Sequence, residues 1–187
     1  GRDRIFVNCG AMSEYGEWFE ALRATAAHST LTVAHRNAVP IDKNGCFVGI
    51  PDVTAEHSYD GGCCLLEGSH NGYLARYGAT HHRRLMLKDS GRALIGEDRL
   101  TGAASGSEYA IRFHLHPNAT ASLTGNGNEV LIQTKSKAGW RFICKGDVKA
   151  DLDESVYIGH RGYVRTSQHI ILRGTADTDE ALVKWGV

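Results

Sequence analysis

Between residues 62 and 173, turn-forming residues recur every six to twelve positions, and the stretches between them are too short for helices. The turns are carried by Gly125-Asn126-Gly127-Asn128, Lys137-Ala138-Gly139, Gly146-Asp147 and the glycines at 159 and 162. Inside this cadence Tyr109, Ile111, Phe113 and Leu115 alternate with Ala110, Arg112, His114 and His116 until Pro117 ends the run. Period-2 alternation is the signature of a strand with one buried face, because successive side chains point to opposite sides. Short strands in this rhythm, with no helices between them, predict an all-β fold: an antiparallel two-sheet β-sandwich with one short helical segment near the N-terminus.

The strands are expected at residues 4–8, 31–33, 46–50, 53–57, 63–68, 81–88, 93–99, 109–115, 122–123, 129–134, 139–144, 148–152, 155–158 and 168–173, the last closing the sandwich. Ser69-His70-Asn71-Gly72-Tyr73 reads as a turn centred on Asn-Gly, and Asp89-Ser90-Gly91 as a tight connection. Residues 11–27 hold the one helical signal, with Tyr15, Trp18, Phe19 and Leu22 on one side. A length of 187 residues suits a single sandwich domain spanning 1–187. A chain that begins two or three residues ahead of a buried strand is expected to be the later part of something longer.

Charge narrows the partners. Lys plus Arg equals Asp plus Glu at 21 each, so no overall field draws the chain to nucleic acid or an anionic membrane. No apolar run approaches the ~20 residues of a spanning helix, and Gly1-Arg2-Asp3-Arg4 lacks a signal-peptide core. Cys9, Cys46, Cys63, Cys64 and Cys144 are odd in number and have no C-x-x-C spacing, which signals neither a disulfide framework nor a four-cysteine zinc site. Reduced thiols would suit the cytoplasm.

The histidines carry most of the candidate chemistry. His28 enters a strand after Thr25-Ala26-Ala27, and small neighbours leave room around an imidazole for a ligand, a metal or another backbone. His114 and His116, two apart on one strand, share a face, but with no acid beside them they read as a solvent-facing pair on the polar side. His81-His82-Arg83-Arg84 could clamp a carboxylate or sulfate, since guanidinium forks match planar anions, although a strand divides the four between two faces. Trp18, Tyr73, Tyr77, Trp140 and Tyr163 are candidates for stacking on sugar rings. There is no G-x-S-x-G, P-loop or H-E-x-x-H, which disfavours serine hydrolysis and nucleotide binding.

Several segments taken in order resemble one family. These are Arg4-Ile5-Phe6-Val7-Asn8-Cys9-Gly10, Leu22-Arg23-Ala24-Thr25-Ala26-Ala27-His28-Ser29-Thr30-Leu31, and Ser69 to Tyr73 with His82-Arg83-Arg84. Phe113-His114-Leu115-His116-Pro117, Gly139-Trp140-Arg141-Phe142 and Glu154-Ser155-Val156-Tyr157 continue the series. Together they look like the β-rich C-terminal region of heparinase II/III-like proteins, of proteobacterial type.

The resemblance implies a polysaccharide lyase in which a helical toroid and this sandwich flank a substrate cleft. Such a lyase breaks a uronic-acid glycosidic bond by β-elimination, with positioned bases, acids and charge-neutralising groups. The catalytic Tyr and His residues, and a His-x-His segment supplying a zinc ligand, would precede Gly1. Two metal positions of the family fall within the chain, at His28 and at Asn8, where an acid is usual. An amide oxygen is a poorer zinc ligand than a carboxylate, so no tightly held cofactor is expected in the chain alone, zinc being an expectation for the full-length protein.

His70, Tyr73, His82, Arg83 and Arg84 become the expected substrate contacts. Partners by resemblance are an acidic polysaccharide or oligosaccharide and the N-terminal α-helical domain of the same protein, with no nucleic acid and no membrane span, in the bacterial periplasm or alternatively the cytoplasm. The chain alone is expected to be inactive. The alternatives are a non-catalytic carbohydrate-binding or structural β-sandwich, and, less favoured, a self-sufficient lyase using His28, Tyr73 and Arg84.

Overall fold

Alternating apolar and polar residues produce the expected sheets in the computed structural model, which describes residues 3–12, 16–88, 91–159, 162–177 and 179–187. The strands are β1 (Phe6–Val7), β2 (Leu31–Val33), β3 (Val53–Asp60), β4 (Cys63–Tyr73), β5 (Ala79–Lys88), β6 (Ala93–Thr101) and β7 (Ser107–Leu115). They continue with β8 (Ala119–Leu123), β9 (Glu129–Thr134), β10 (Gly139–Lys145), β11 (Lys149–Ile158), β12 (Val164–Ala176) and β13 (Glu180–Gly186). Two short helices, α1 (Glu17–Arg23) and α2 (Leu74–Tyr77), and a 3-10 turn at Thr25–Ala27 complete the list.

All pairings between these strands are antiparallel. The smaller sheet runs β1-β7-β12-β11, with β2 also on β7; the larger runs β3-β4-β5-β6-β13-β10-β9-β8. β1 and β2 follow one another along the same edge of β7, since β12 occupies the other.

The predicted alternation of β7 places Tyr109, Ile111, Phe113 and Leu115 between the sheets, against Leu100, Val130, Ile132, Phe142, Val183 and Trp185. The aromatic rings pack with centroids 4.6 Å apart for Phe113 and Trp185, 5.0 Å for Phe113 and Phe142, and 5.5 Å for Phe6 and Phe113. Such tilted pairs add about 0.5–1.5 kcal/mol each beyond the area they bury. Gly96, paired with Trp185 across β6 and β13, has no side chain because the indole lies on it: a Cβ there would sit 2.1 Å from a ring carbon.

The two sheets do not match in width. At one end β8 turns against the smaller sheet, where the Ala121 N–H donates to Gln168 Oε1 at 3.0 Å. At the other end β3, β4 and part of β5 extend past it, and residues of their inner face stand in the open: Val53 is 68% exposed, Tyr59 76% and Leu66 45%.

Several boundaries depart from expectation. Ser69–Tyr73 is not a turn; β4 continues through it with a bulge between His70 and Tyr73. Asn-Gly fails to reverse the chain because Asn71 is spent elsewhere, its side chain bonding the Asp52 backbone N–H (2.9 Å) and carboxylate (2.7 Å). The two strands expected at 148–158 are one, since ladder bonding to β12 runs unbroken through Asp153 and Glu154. β13 was not foreseen, and residues 46–50 form no strand beyond a single bridge from Phe47 to Ile41. The helical signal contracts to α1, whose Leu22 and Trp18 pack with Met12 against Cys9, Ala27 and Ile158. Tyr15 and residues 89 and 90 lie outside the described residues.

Gly96→Ala forces the Trp185 ring from its seat, and overpacking of this kind costs about 1–3 kcal/mol. The urea midpoint should fall accordingly, together with the near-ultraviolet circular dichroism of the core aromatics; an unchanged midpoint would contradict the packing described.

Candidate functional site

The Asp of Glu97-Asp98-Arg99 falls on the inner face of β6, in line with Leu94 and Leu100. A carboxylate on an apolar face must find partners or lose its charge. Asp98 is 1% exposed and finds three. His81 Nε2 and Arg83 Nε each lie 2.7 Å from Oδ1, and the indole N–H of Trp185 donates to Oδ2 at 2.8 Å. Burial alone would raise the Asp98 pKa, but the Arg83 charge and the bonds from His81 and Arg83 hold it down at about 2.

The network reaches outward in two directions. His81 Nδ1 lies 3.3 Å from His70 Nε2, and His70 Nδ1 accepts from the Gly72 N–H at 3.3 Å. Arg83 Nη1 donates to the backbone carbonyl of Ser29. Ser29 in turn receives Asn8, whose Oδ1 accepts its N–H at 2.9 Å, and its hydroxyl bonds the Val7 carbonyl. His28, half-buried, therefore stands one residue from both Asn8 and Arg83, and burial lowers its pKa.

Above this network lies a groove of about 280 Å³, where β3–β5 run past the smaller sheet; Thr30, Val53, Leu66, His70, His81, Arg83 and Leu85 line it. The pKa of His70 is pushed down to about 4, first by burial and then by His81, Arg83 and His82. A neutral imidazole, a guanidinium and apolar walls make this a place for a carbonyl, hydroxyl or carboxylate to dock.

The remaining candidates go elsewhere. His82 and Arg84 point to the opposite face of β5, into a polar groove of about 500 Å³ shared with Glu67, Ser69, Glu97 and Arg99. The cations there are paired, Arg84 with Glu67 at 3.1 Å and Arg99 with Glu97 at 3.1 Å. The set His82, Arg83 and Arg84 is thus split, as strand geometry requires. Tyr73 does not stand ready to meet a sugar: it is 1% exposed, with its hydroxyl donating to the carbonyl of Leu31 at 3.1 Å.

His114 is not solvent-facing, because residues 9 and 26 cover it. Its Nδ1 lies 2.8 Å from Ser155 Oγ and 3.3 Å from Cys9 Sγ, and its Nε2 lies 2.9 Å from the Ala26 carbonyl. Burial, outweighing the Ala26 bond, lowers its pKa to about 4.

The Asn8 oxygen is already turned to a backbone N–H, and among the described residues no three His, Cys, Asp or Glu side chains are grouped to hold a metal. Asp98 and Trp185 were missed by sequence reasoning. The available signal was an acid standing where a strand's alternation demands an apolar residue.

The fold is an antiparallel two-sheet β-sandwich with a groove where the larger sheet runs past the smaller. The chain belongs to the family described as Heparinase II/III-like, C-terminal, which it matches over residues 1–186. It is 32% identical to FtsZ-localized protein C of Caulobacter vibrioides (strain NA1000 / CB15N), over 98% of this chain and 34% of that protein. Solved structures share the fold at low identity. Heparinase III, the BT4657 gene product, gives a TM-score of 0.77 at 13% identity over 97% of this chain and 27% of its own. A mutant of heparan sulfate lyase HepC from Pedobacter heparinus gives 0.76 at 13%, over 97% and 28%. The chain thus spans about a third of the relative's length and little more than a quarter of those structures.

Removing the partner of a buried charge costs about 3–5 kcal/mol, whereas surface pairs contribute about 0–1 kcal/mol. Arg83→Met should therefore lower stability to urea far more than Arg84→Met, and equal effects would refute the buried network. His70 and His114 both have depressed pKa values, so the stability they hold is complete above the ordinary histidine range and declines as pH falls toward 4. Thermal midpoints measured between pH 7 and 4 should drop steadily.

Proposed function

We propose that this domain forms one wall of a saccharide-binding cleft in a longer heparinase II/III-like protein, and that it has no lyase activity alone. The observation carrying this reading is the overhang: β3, β4 and part of β5 extend past the smaller sheet with inner-face residues in the open, and Arg83 of the buried network lies with His70 at its base. Exposed apolar surface of this extent marks a binding or docking face. In a protein some three times the length, the preceding helical region would close over it. An acidic polysaccharide would meet Arg83, His70 and Thr30 there. β-Elimination needs a base positioned on the carbon bearing the proton, and among the described residues the neutral His70 has its Nδ1 already engaged by Gly72. Any zinc would be held by His28 together with ligands from the preceding region, in the full-length protein only.

A second reading rests on the 32% identity to a protein named for its localisation with FtsZ, and on Asn8 standing where the resemblance puts an acid. It takes the domain as a non-catalytic scaffold, retaining the sandwich and using the overhang for protein contacts.

Three measurements test the readings, and the last two distinguish them. Incubation with heparin, heparan sulfate and alginate fragments, followed by absorbance of unsaturated uronate, should show no turnover by the chain alone; turnover above buffer would overturn the claim of inactivity. Heparin oligosaccharides titrated into the longer protein should perturb the amides of Thr30, His70 and Arg83 and spare Arg84. Co-sedimentation with FtsZ polymers in the absence of any saccharide response would favour the scaffold.

A further inference from the structure

The distances around Asp98 fix where each proton sits. His70 Nδ1 accepts from the Gly72 N–H, so the ring proton of a neutral His70 is on Nε2, facing His81 Nδ1 at 3.3 Å. His81 Nδ1 must then be the acceptor, which leaves its own proton on Nε2, directed at Asp98 Oδ1 at 2.7 Å. Every bond runs one way, from the Gly72 amide through two imidazoles to the carboxylate, and the alternative tautomer of either ring would set two donors or two acceptors against each other.

The far end of this chain is the β4 bulge. Gly72 lies there because a Cβ would come within 2.8 Å of the Ala38 carbonyl oxygen, so the bulge fits tightly under residue 38. The neighbouring Asn71 holds Asp52 through two side-chain bonds, and its own N–H donates to the Asp52 carbonyl at 3.2 Å. Asp52 leads directly into the edge strand β3, whose Val53 pairs with His70.

We propose that Asp98, His81 and His70 form a proton-ordered relay that locks the β4 bulge, and that protonating His70 releases the bulge together with Asn71 and the start of β3. A proton added at His70 Nδ1 turns the one acceptor facing Gly72 into a donor. The amide is then left without a partner, and the new charge faces His81 and Arg83 from β5, with His82 on the far face of the same strand adding to the repulsion. Tyr73, on the same strand, lies tilted to the ring with centroids 5.7 Å apart and offers no anion. Asp98 stands beyond His81 and is already paired with Arg83, so it does not neutralise the added charge. The overhang is therefore held in a single geometry at neutral pH, and its outer edge is loosened in acid.

Nitrogen-15 NMR of the histidine rings, with amide shifts of Asn71 and Gly72, tests the relay on the chain and on the longer protein. At pH 7 both His70 and His81 should carry their proton on Nε2. As pH falls, the Gly72 and Asn71 amides should shift with the same midpoint as His70, near 4. His70→Phe should abolish that titration at Asn71 and Gly72 while the amides of β12 stay unchanged. A protonated Nδ1 on His70 at pH 7, or a Gly72 midpoint that does not follow His70, would overturn the proposal. The wild-type tautomers decide it even if the variant fails to fold.

Discussion

One buried carboxylate holds the working end of this domain together. Asp98, on β6, is reached by His81 and Arg83 from β5 and by Trp185 from β13, so three neighbouring strands of the larger sheet converge on a single group. Burying a charge is costly unless its hydrogen-bonding capacity is filled, and here the two oxygens accept three donors. Because Arg83 also donates to the Ser29 backbone, the same charge ties the larger sheet to the entrance of β2 and so to His28. The aromatic packing of Phe113 and Trp185 depends on it too, since the indole cannot leave its seat over Gly96 without giving up its bond to Asp98.

The unequal width of the sheets gives this network its consequence. Had both sheets been equally wide, His70 and Arg83 would have been enclosed as ordinary core polar residues. The overhang of β3 and β4 instead leaves them at the floor of an open groove with apolar walls. The chain matches its family over residues 1–186 and spans about a third of the length of its curated relative. The cationic residues on the outer face, Arg84 and Arg99, are paired with glutamates and exposed, a pattern that confers solubility more than recognition.

Strand existence was legible wherever one face is buried and the other wet, as in β7 and β9, whose bounds follow their alternation closely. It was illegible where local turn chemistry conflicted with tertiary bonding. Asn71-Gly72 has the composition of a hairpin turn, yet Asn71 bonds Asp52 nineteen residues away and the strand continues. β13 escaped notice because it follows the turn residues at the end of a strand that proved longer than its apolar run. Of the site, His28 and Arg83 could be named from residue type, and His70 only through the family resemblance. His114 was misjudged because the polar face of β7 is covered by residues 9 and 26, a contact between segments about ninety and more positions apart.

By itself, then, the sequence determined the all-β class and the antiparallel plan, because periodicity and turn composition act over a few residues and survive in any context, while its motifs, taken in order, carried the resemblance to the family. Only the tertiary structure decided that Tyr73 is buried, that His82 and Arg84 turn away from His70 and Arg83, and that Asp98 is the group on which they depend. The reason is physical: whether a polar side chain binds a ligand or fills the core depends on which segments close over it, and those segments are brought together only when the sheets stack.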